Sequence, residues 1–163
     1  MYAVRLWSVR HAKGLNAFYR AFEKALVALH PLWAKIGYDK LEKPFEGFER
    51  ATKGFLFDCQ MCGQCALSST GMSCPMNCPK NLRNGPCGGT LQDGHCEVVP
   101  EMKCVWVEAW ERSRSLPLWR DHILHVERPT DWRLQETSSW ENLFTGRDRV
   151  DPDGWANAER GDA

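Results

Sequence analysis

Apolar side chains at Leu15, Phe18, Tyr19, Phe22, Leu26 and Leu29 recur every three or four positions, which is the period of one buried helical face. The spacing predicts a helix from about Ala12 to His30. Pro31 has no backbone N–H to donate, so it ends that helix or opens a second one carrying Leu32, Trp33 and Ile36. Pro44 and Gly47 predict a turn. A further short helical run over Glu46 to Lys53 then delivers the chain to Phe55-Leu56-Phe57, an apolar plug directly before Cys59.

Between Cys59 and Cys104 the periodicity stops. Gly63, Gly71, Gly85, Gly88, Gly89 and Gly94, with Pro75, Pro79, Pro86 and Pro100, interrupt any regular element. A segment of 46 residues with so few large aliphatics cannot bury enough apolar surface to offset its ordering entropy, so its structure is expected to come from what its cysteines bind. Beyond it, Val105, Trp106, Ala109 and Trp110 predict a short helix ending near Ser115 to Pro117, and Leu118, Trp119, Ile123 and Leu124 predict another. The stretch from Gly146 to Ala163 is polar and rich in Asp and Gly, which predicts a loosely held tail. The expected fold is small α plus irregular. An N-terminal helical segment spans 1–58, a loop-rich cysteine and metal-cluster core 59–104, short helices and an extended arm 105–145, and a tail 146–163.

All eight cysteines lie in the aperiodic segment: Cys59, Cys62, Cys65, Cys74, Cys78, Cys87, Cys96 and Cys104. Cys59-x2-Cys62-x2-Cys65 places three thiolates within seven residues, a spacing that lets one loop present three sulfurs to three irons of a cubane, whereas zinc sites more often use separated pairs. Cys74-x3-Cys78-Pro79 repeats the end of the bacterial ferredoxin run, in which the cysteine before proline ligates from a distance. Eight cysteines suffice for two [4Fe–4S] clusters. Cys59, Cys62 and Cys65 are expected around one of them with a more distant cysteine, Cys78 in the first instance, and the remaining four around the second. One [4Fe–4S] cluster with one zinc is the alternative, the zinc held by Cys87, Cys96, Cys104 and one other.

Nothing else in the sequence competes as chemistry. His95, between Gly94 and Cys96, is near enough to be a ligand, but eight cysteines already serve two sites, and His11, His30, His122 and His125 show no ligand spacing. Asn84-Gly85-Pro86-Cys87-Gly88-Gly89 matches neither the phosphate loop nor the dinucleotide fingerprint. No nucleophile and base are paired in the sequence, so no catalytic residue is assigned, and the reading is of a non-catalytic subunit.

Charge narrows the partners. The 21 basic and 21 acidic residues balance, so no overall field draws the chain to nucleic acid or an anionic membrane. Residues 1–54 are locally basic, with Arg5, Arg10, Lys13, Arg20, Lys24, Lys35, Lys40, Lys43, Arg50 and Lys53 against Glu23, Asp39, Glu42, Glu46 and Glu49. A solvated helix face is the ordinary reading of such a run, and a docking surface for an acidic partner the other. The eight tryptophans suit core and interface anchors. No stretch approaches the roughly 18 apolar residues of a membrane span. The start, Met1-Tyr2-Ala3-Val4-Arg5, lacks the basic and apolar regions of a secretion signal. A cytoplasmic setting is expected, where clustered thiols hold metal more often than they form disulfides.

The run from Cys74 through Cys78-Pro79-Lys80-Asn81-Leu82-Arg83-Asn84-Gly85-Pro86-Cys87-Gly88-Gly89, followed by Gly94-His95-Cys96-Glu97-Val98 and Cys104-Val105-Trp106, resembles the methylenetetrahydrofolate reductase C-terminal domain family. The resemblance extends from the helix at Phe18 to Ser138-Ser139-Trp140. It implies a small iron–sulfur subunit that pairs with a flavin-bearing TIM-barrel catalytic subunit and passes electrons toward reduction of 5,10-methylene-tetrahydrofolate to the 5-methyl form. A further electron-donor protein is expected with it. The alternative that stays open is an assembly subunit, holding zinc or a cluster without redox function, that docks on the barrel.

Overall fold

The computed structural model describes residues 2–116 and 119–150, apart from the side chain of Asp39. Among these residues the architecture is helical and irregular, with no strand. Helix α1 (Tyr2–Arg10), α2 (Ala12–Ala28), α3 (His30–Ile36) and α4 (Tyr38–Phe57) form the N-terminal part. A single 3₁₀ turn, Pro75–Asn77, interrupts the cysteine segment. Helix α5 (Val105–Ser113) and α6 (Ser139–Thr145) follow, with 3₁₀ turns at His122–Leu124, Trp132–Leu134 and Arg147–Arg149.

The expected helix over Ala12 to His30 is α2, and Pro31 opens α3 in its first turn, where its missing N–H leaves no bond unmade. The expected turn at Pro44 and Gly47 is absent. Both residues lie inside α4, which runs unbroken for 20 residues. Pro44 is exposed, so the carbonyl it leaves unbonded lies on a wet face. Its neighbour Phe45 is clamped edge-on by Trp33, with ring centroids 5.5 Å apart, and by Phe144 at 6.5 Å. That packing holds the turn of helix which proline alone would break. Helix α1 was not expected, because its buried residues are Arg5, Ser8 and Val9, a face too polar to show as an apolar stripe.

The helix α5 lies where the pattern placed it and ends at Ser113. Of the helix expected from Leu118 onward, Leu118 lies outside the described residues, and the rest forms only the 3₁₀ turn His122–Leu124, with Leu124 exposed. The tail beyond Val150 also lies outside them. No helix among the described residues is long and apolar enough to cross a membrane.

The core gathers Ala12 of α2, Phe57 at the end of α4, Leu67, Met72, Met76 and Leu116 around Cys62 and Cys74. Two cysteines therefore belong to the hydrophobic core itself. The plug predicted at Phe55-Leu56-Phe57 is realised mainly through Phe57, which is buried while Phe55 is exposed.

Candidate metal centres

Helix α4 stops at Asp58, which adopts the left-handed conformation (φ 53°) that short polar side chains tolerate at a helix end. Met61 (φ 49°) and Gly63 (φ +72°) turn the chain again. The result is a tight loop carrying Cys59, Cys62 and Cys65. Three elements grip it. Glu136 N–H donates to Met61 C=O at 2.8 Å, Asn142 Nδ2 of α6 to Gly63 C=O at 2.9 Å, and Arg83 Nη2 to Gln64 C=O at 2.8 Å. A Cβ on Gly63 would run into the Leu134 carbonyl and lie 2.8 Å from Leu134 Cβ, so the loop is pressed against the Trp132–Leu134 turn. Replacing Gly63 by alanine is expected to cost about 2–4 kcal/mol, read by denaturant unfolding, from the disfavoured φ together with the clash.

The Trp132–Leu134 turn is fixed by Asp131. Its carboxylate accepts from Arg133 N–H at 3.0 Å and from the guanidinium through Nε at 2.9 and 3.1 Å and Nη2 at 2.7 Å. The Asp131 N–H donates to Gln64 Oε1 at 2.8 Å, tying this turn to the cysteine loop. The Arg133 bonds hold the Asp131 carboxyl below the usual carboxylate range, against a weaker opposing effect of burial. A depressed folded pKa contributes stability above the ordinary Asp range and loses it as pH falls through the lowered value. Since Arg133 is largely solvent-exposed, Asp131→Asn is expected to cost only about 0.5–1 kcal/mol at pH 7. Thermal melts should show the gap between variant and parent closing as pH falls below about 4.

Four cysteines line one pocket, Cys59, Cys62, Cys65 and Cys74. The other four, Cys78, Cys87, Cys96 and Cys104, line a second. The two are matched in size, at about 340 and 330 Å³ of atom-free space including the part open to solvent. Cys78 therefore does not join the first three cysteines as expected from the sequence; Cys74 does. The 3₁₀ turn Pro75–Asn77 is the reason, since Cys74 and Cys78 flank it on either side and face different pockets. Asn77 Nδ2 donates to Phe57 C=O at 2.8 Å, which anchors the turn to the end of α4.

The second pocket is framed mainly by loops, with the first turn of α5 closing it through Val105 and Trp106. Leu91 N–H donates to His95 C=O at 2.8 Å, Cys96 N–H to Met102 C=O at 3.0 Å and Cys104 N–H to Gly94 C=O at 2.9 Å. Cys104 then forms the N-cap of α5. His95 lines neither pocket; its Nδ1 lies 3.2 Å from Asp93.

All eight thiols are free. Among the described residues no three His, Cys, Asp or Glu side chains are gathered so as to hold a single metal ion. The sulfurs do have donors around them. Met61 N–H reaches Cys59 Sγ at 3.4 Å, Tyr19 O–H reaches Cys65 at 3.7 Å and Arg83 Nη1 reaches Cys62 at 3.9 Å. In the second pocket Gly89 N–H reaches Cys87 at 3.4 Å, Lys80 Nζ reaches the same sulfur at 3.5 Å and Thr90 O–H reaches Cys104 at 3.4 Å. Burial pushes the Cys59 thiol up to about 12, helped by the Cys65 charge, and burial pushes Cys74 well above the ordinary thiol range. Burial of that kind disfavours the thiolate at Cys59 and Cys74 unless positive charge lies nearby, which is the charge a metal-bearing group held by four thiols supplies.

The segment between Cys78 and Cys87 contacts residues of both pockets. Arg83 reaches Cys62 of the first set, while the adjacent Leu82 C=O accepts from Nε1 of Trp106, which lines the second pocket. Ser73 Oγ, next to Cys74, donates to the carbonyl of Val105, another residue of the second pocket, at 3.1 Å.

Sequence reading missed one part of the first centre. Glu49 and Lys53 also line that pocket, and both are buried. With Phe57 they make a stripe at i, i+4 and i+8 on the inner face of α4. An acid and a base four apart, in register with the apolar plug before Cys59, was the available signal.

A helical and irregular chain presenting two four-thiol pockets defines a small cysteine-rich protein built around paired candidate metal centres. A family model described as the methylene-tetrahydrofolate reductase C terminal matches residues 38–133, more than half of the chain, and the chain belongs to that family. The matched residues include all eight cysteines and run from the start of α4 to the Trp132–Leu134 turn. No curated protein and no solved structure matches the chain.

Proposed function

We propose that this chain is the iron–sulfur subunit of a methylenetetrahydrofolate reductase complex. It would hold two [4Fe–4S] clusters and pass electrons to a flavin-bearing barrel subunit that reduces 5,10-methylene-tetrahydrofolate to 5-methyl-tetrahydrofolate. The observation that carries this reading is the division of eight free thiols into two sets of four around pockets of matched size, in a member of a family tied to that reductase. When bound, such clusters supply one-electron transfer, with potentials set by hydrogen bonds to sulfur, net charge and exposure.

The residues of the chain do the rest. Cys59, Cys62, Cys65 and Cys74 hold the first centre and Cys78, Cys87, Cys96 and Cys104 the second. Met61, Gly89 and Thr90 supply hydrogen bonds to sulfur, and Arg83 lines the first pocket and Trp106 the second. Cys65 and Cys87 are the exposed members of their sets, so each centre has one edge open to a partner. The two-electron reduction of the folate takes place on the catalytic subunit, which supplies the flavin.

The test is direct. The anaerobically purified chain is reduced with dithionite, freed of excess reductant and mixed with the flavin-bearing subunit. Bleaching of the flavin with matching reoxidation of the chain is expected. Tight binding with no flavin reduction would instead leave an assembly subunit.

A further inference from the structure

The inner face of α4 carries a buried ion pair against the first pocket. The Lys53 and Glu49 side chains are 3% and 2% exposed and meet at 2.8 Å. Ser139 Oγ accepts from Lys53 Nζ at 2.9 Å and donates to Glu49 Oε1 at 2.5 Å, and Ser138 Oγ donates to Glu49 Oε2 at 2.6 Å. The carboxylate is thus turned toward the start of α6. The ammonium shares Ser139 with it and also lies against two aromatic rings, 4.5 Å from the Trp140 ring centroid and 5.3 Å from that of Tyr19, whose hydroxyl donates to Cys65 Sγ. Stability alone does not call for such a pair, since apolar residues of similar volume commonly serve a core as well or better.

We propose that Lys53 is a positioning residue for electrons, a fixed buried cation that raises the reduction potential of the first four-cysteine centre. The proposal rests on the iron–sulfur reading above. One-electron reduction by an external donor adds one negative charge to that centre, and a cation held nearby in low-dielectric surroundings favours the more negative state. The Glu49 carboxylate opposes it, and Ser138 and Ser139 hold that carboxylate in place. Among the described residues lining the second pocket there is no buried cation. The cation there, Lys80, is about one-third exposed and paired with an exposed Glu97, so water and salt screen it.

Potentiometric titration of the full-length, anaerobically purified chain, followed by electron paramagnetic resonance, tests this. Glu49→Gln with Lys53→Met removes both charges and leaves neither buried alone. It is expected to shift one of the two midpoint potentials negative by roughly tenfold in the reduced-to-oxidised ratio at fixed donor potential, about 59 mV, with the other unmoved. Lys53→Arg should keep the parental potential. Glu49→Gln alone should shift the same midpoint positive, which keeps the sign readable if the double variant loses its first centre. Iron-loaded variants whose midpoints all match the parent would overturn the proposal while leaving the iron–sulfur reading intact. A parent chain that carries zinc and no sulfide would overturn both.

Discussion

Cys74→Ser is expected to remove about four of about eight irons per chain, and Cys78→Ser to remove the other four, although the two cysteines stand only four residues apart. They belong to different sets because the Pro75–Asn77 turn separates them. The losses should also differ in kind. Cys74 lies in the hydrophobic core with Phe57, Leu67 and Met72, so its replacement puts a hydroxyl among apolar atoms and should lower thermal stability as well as iron content. Cys78 is only half buried, and its variant should lose its centre with a smaller change in melting temperature. Iron analysis, paired with melts of the two variants, reads both effects. Loss of the same half of the visible spectrum in both variants would contradict the division into sets.

Removal of the metal should act just as unevenly. From Met61 to Met76 the loop is buried almost throughout, by Met61, Ala66, Leu67, Met72 and Met76 among others, whereas from Cys78 to Cys104 the single buried residue is Cys96. A segment without buried apolar area has nothing but its ligand to offset the cost of ordering, about 1–2 kcal/mol per residue for the backbone alone. Chelation under anaerobic conditions is therefore expected to abolish hydrogen-exchange protection across 78–104 while 61–76 retains much of it. Equal loss in both segments would mean that the first loop depends on its centre as fully as the second.

This asymmetry also explains what could be read in advance. Helices α2 and α5 and the restart at Pro31 follow from apolar spacing and from the missing proline N–H, both local properties. Of helix α4 only the run from Glu46 to Lys53 was legible; its continuity through Pro44 was not, because the Phe45 contacts with Trp33 and Phe144 that override the proline are tertiary. Helix α1 buries Arg5 and Ser8, and a polar stripe gives no periodic signal. All eight candidate ligands were plain from spacing. Their division was not, since it depends on which way one turn points each of its flanking cysteines. Lys53 counted among the basic residues of a solvated helix face, where most lysines belong; only the placement of Ser138, Ser139 and Trp140 against α4 makes it an interior charge.

The measurement that bears most directly on this account is metal and acid-labile sulfide content of the anaerobically purified chain, with its visible spectrum before and after dithionite. About eight iron and eight sulfide per chain, with absorption that bleaches on reduction, is the predicted result. Zinc without sulfide, and a spectrum that dithionite leaves unchanged, would contradict it.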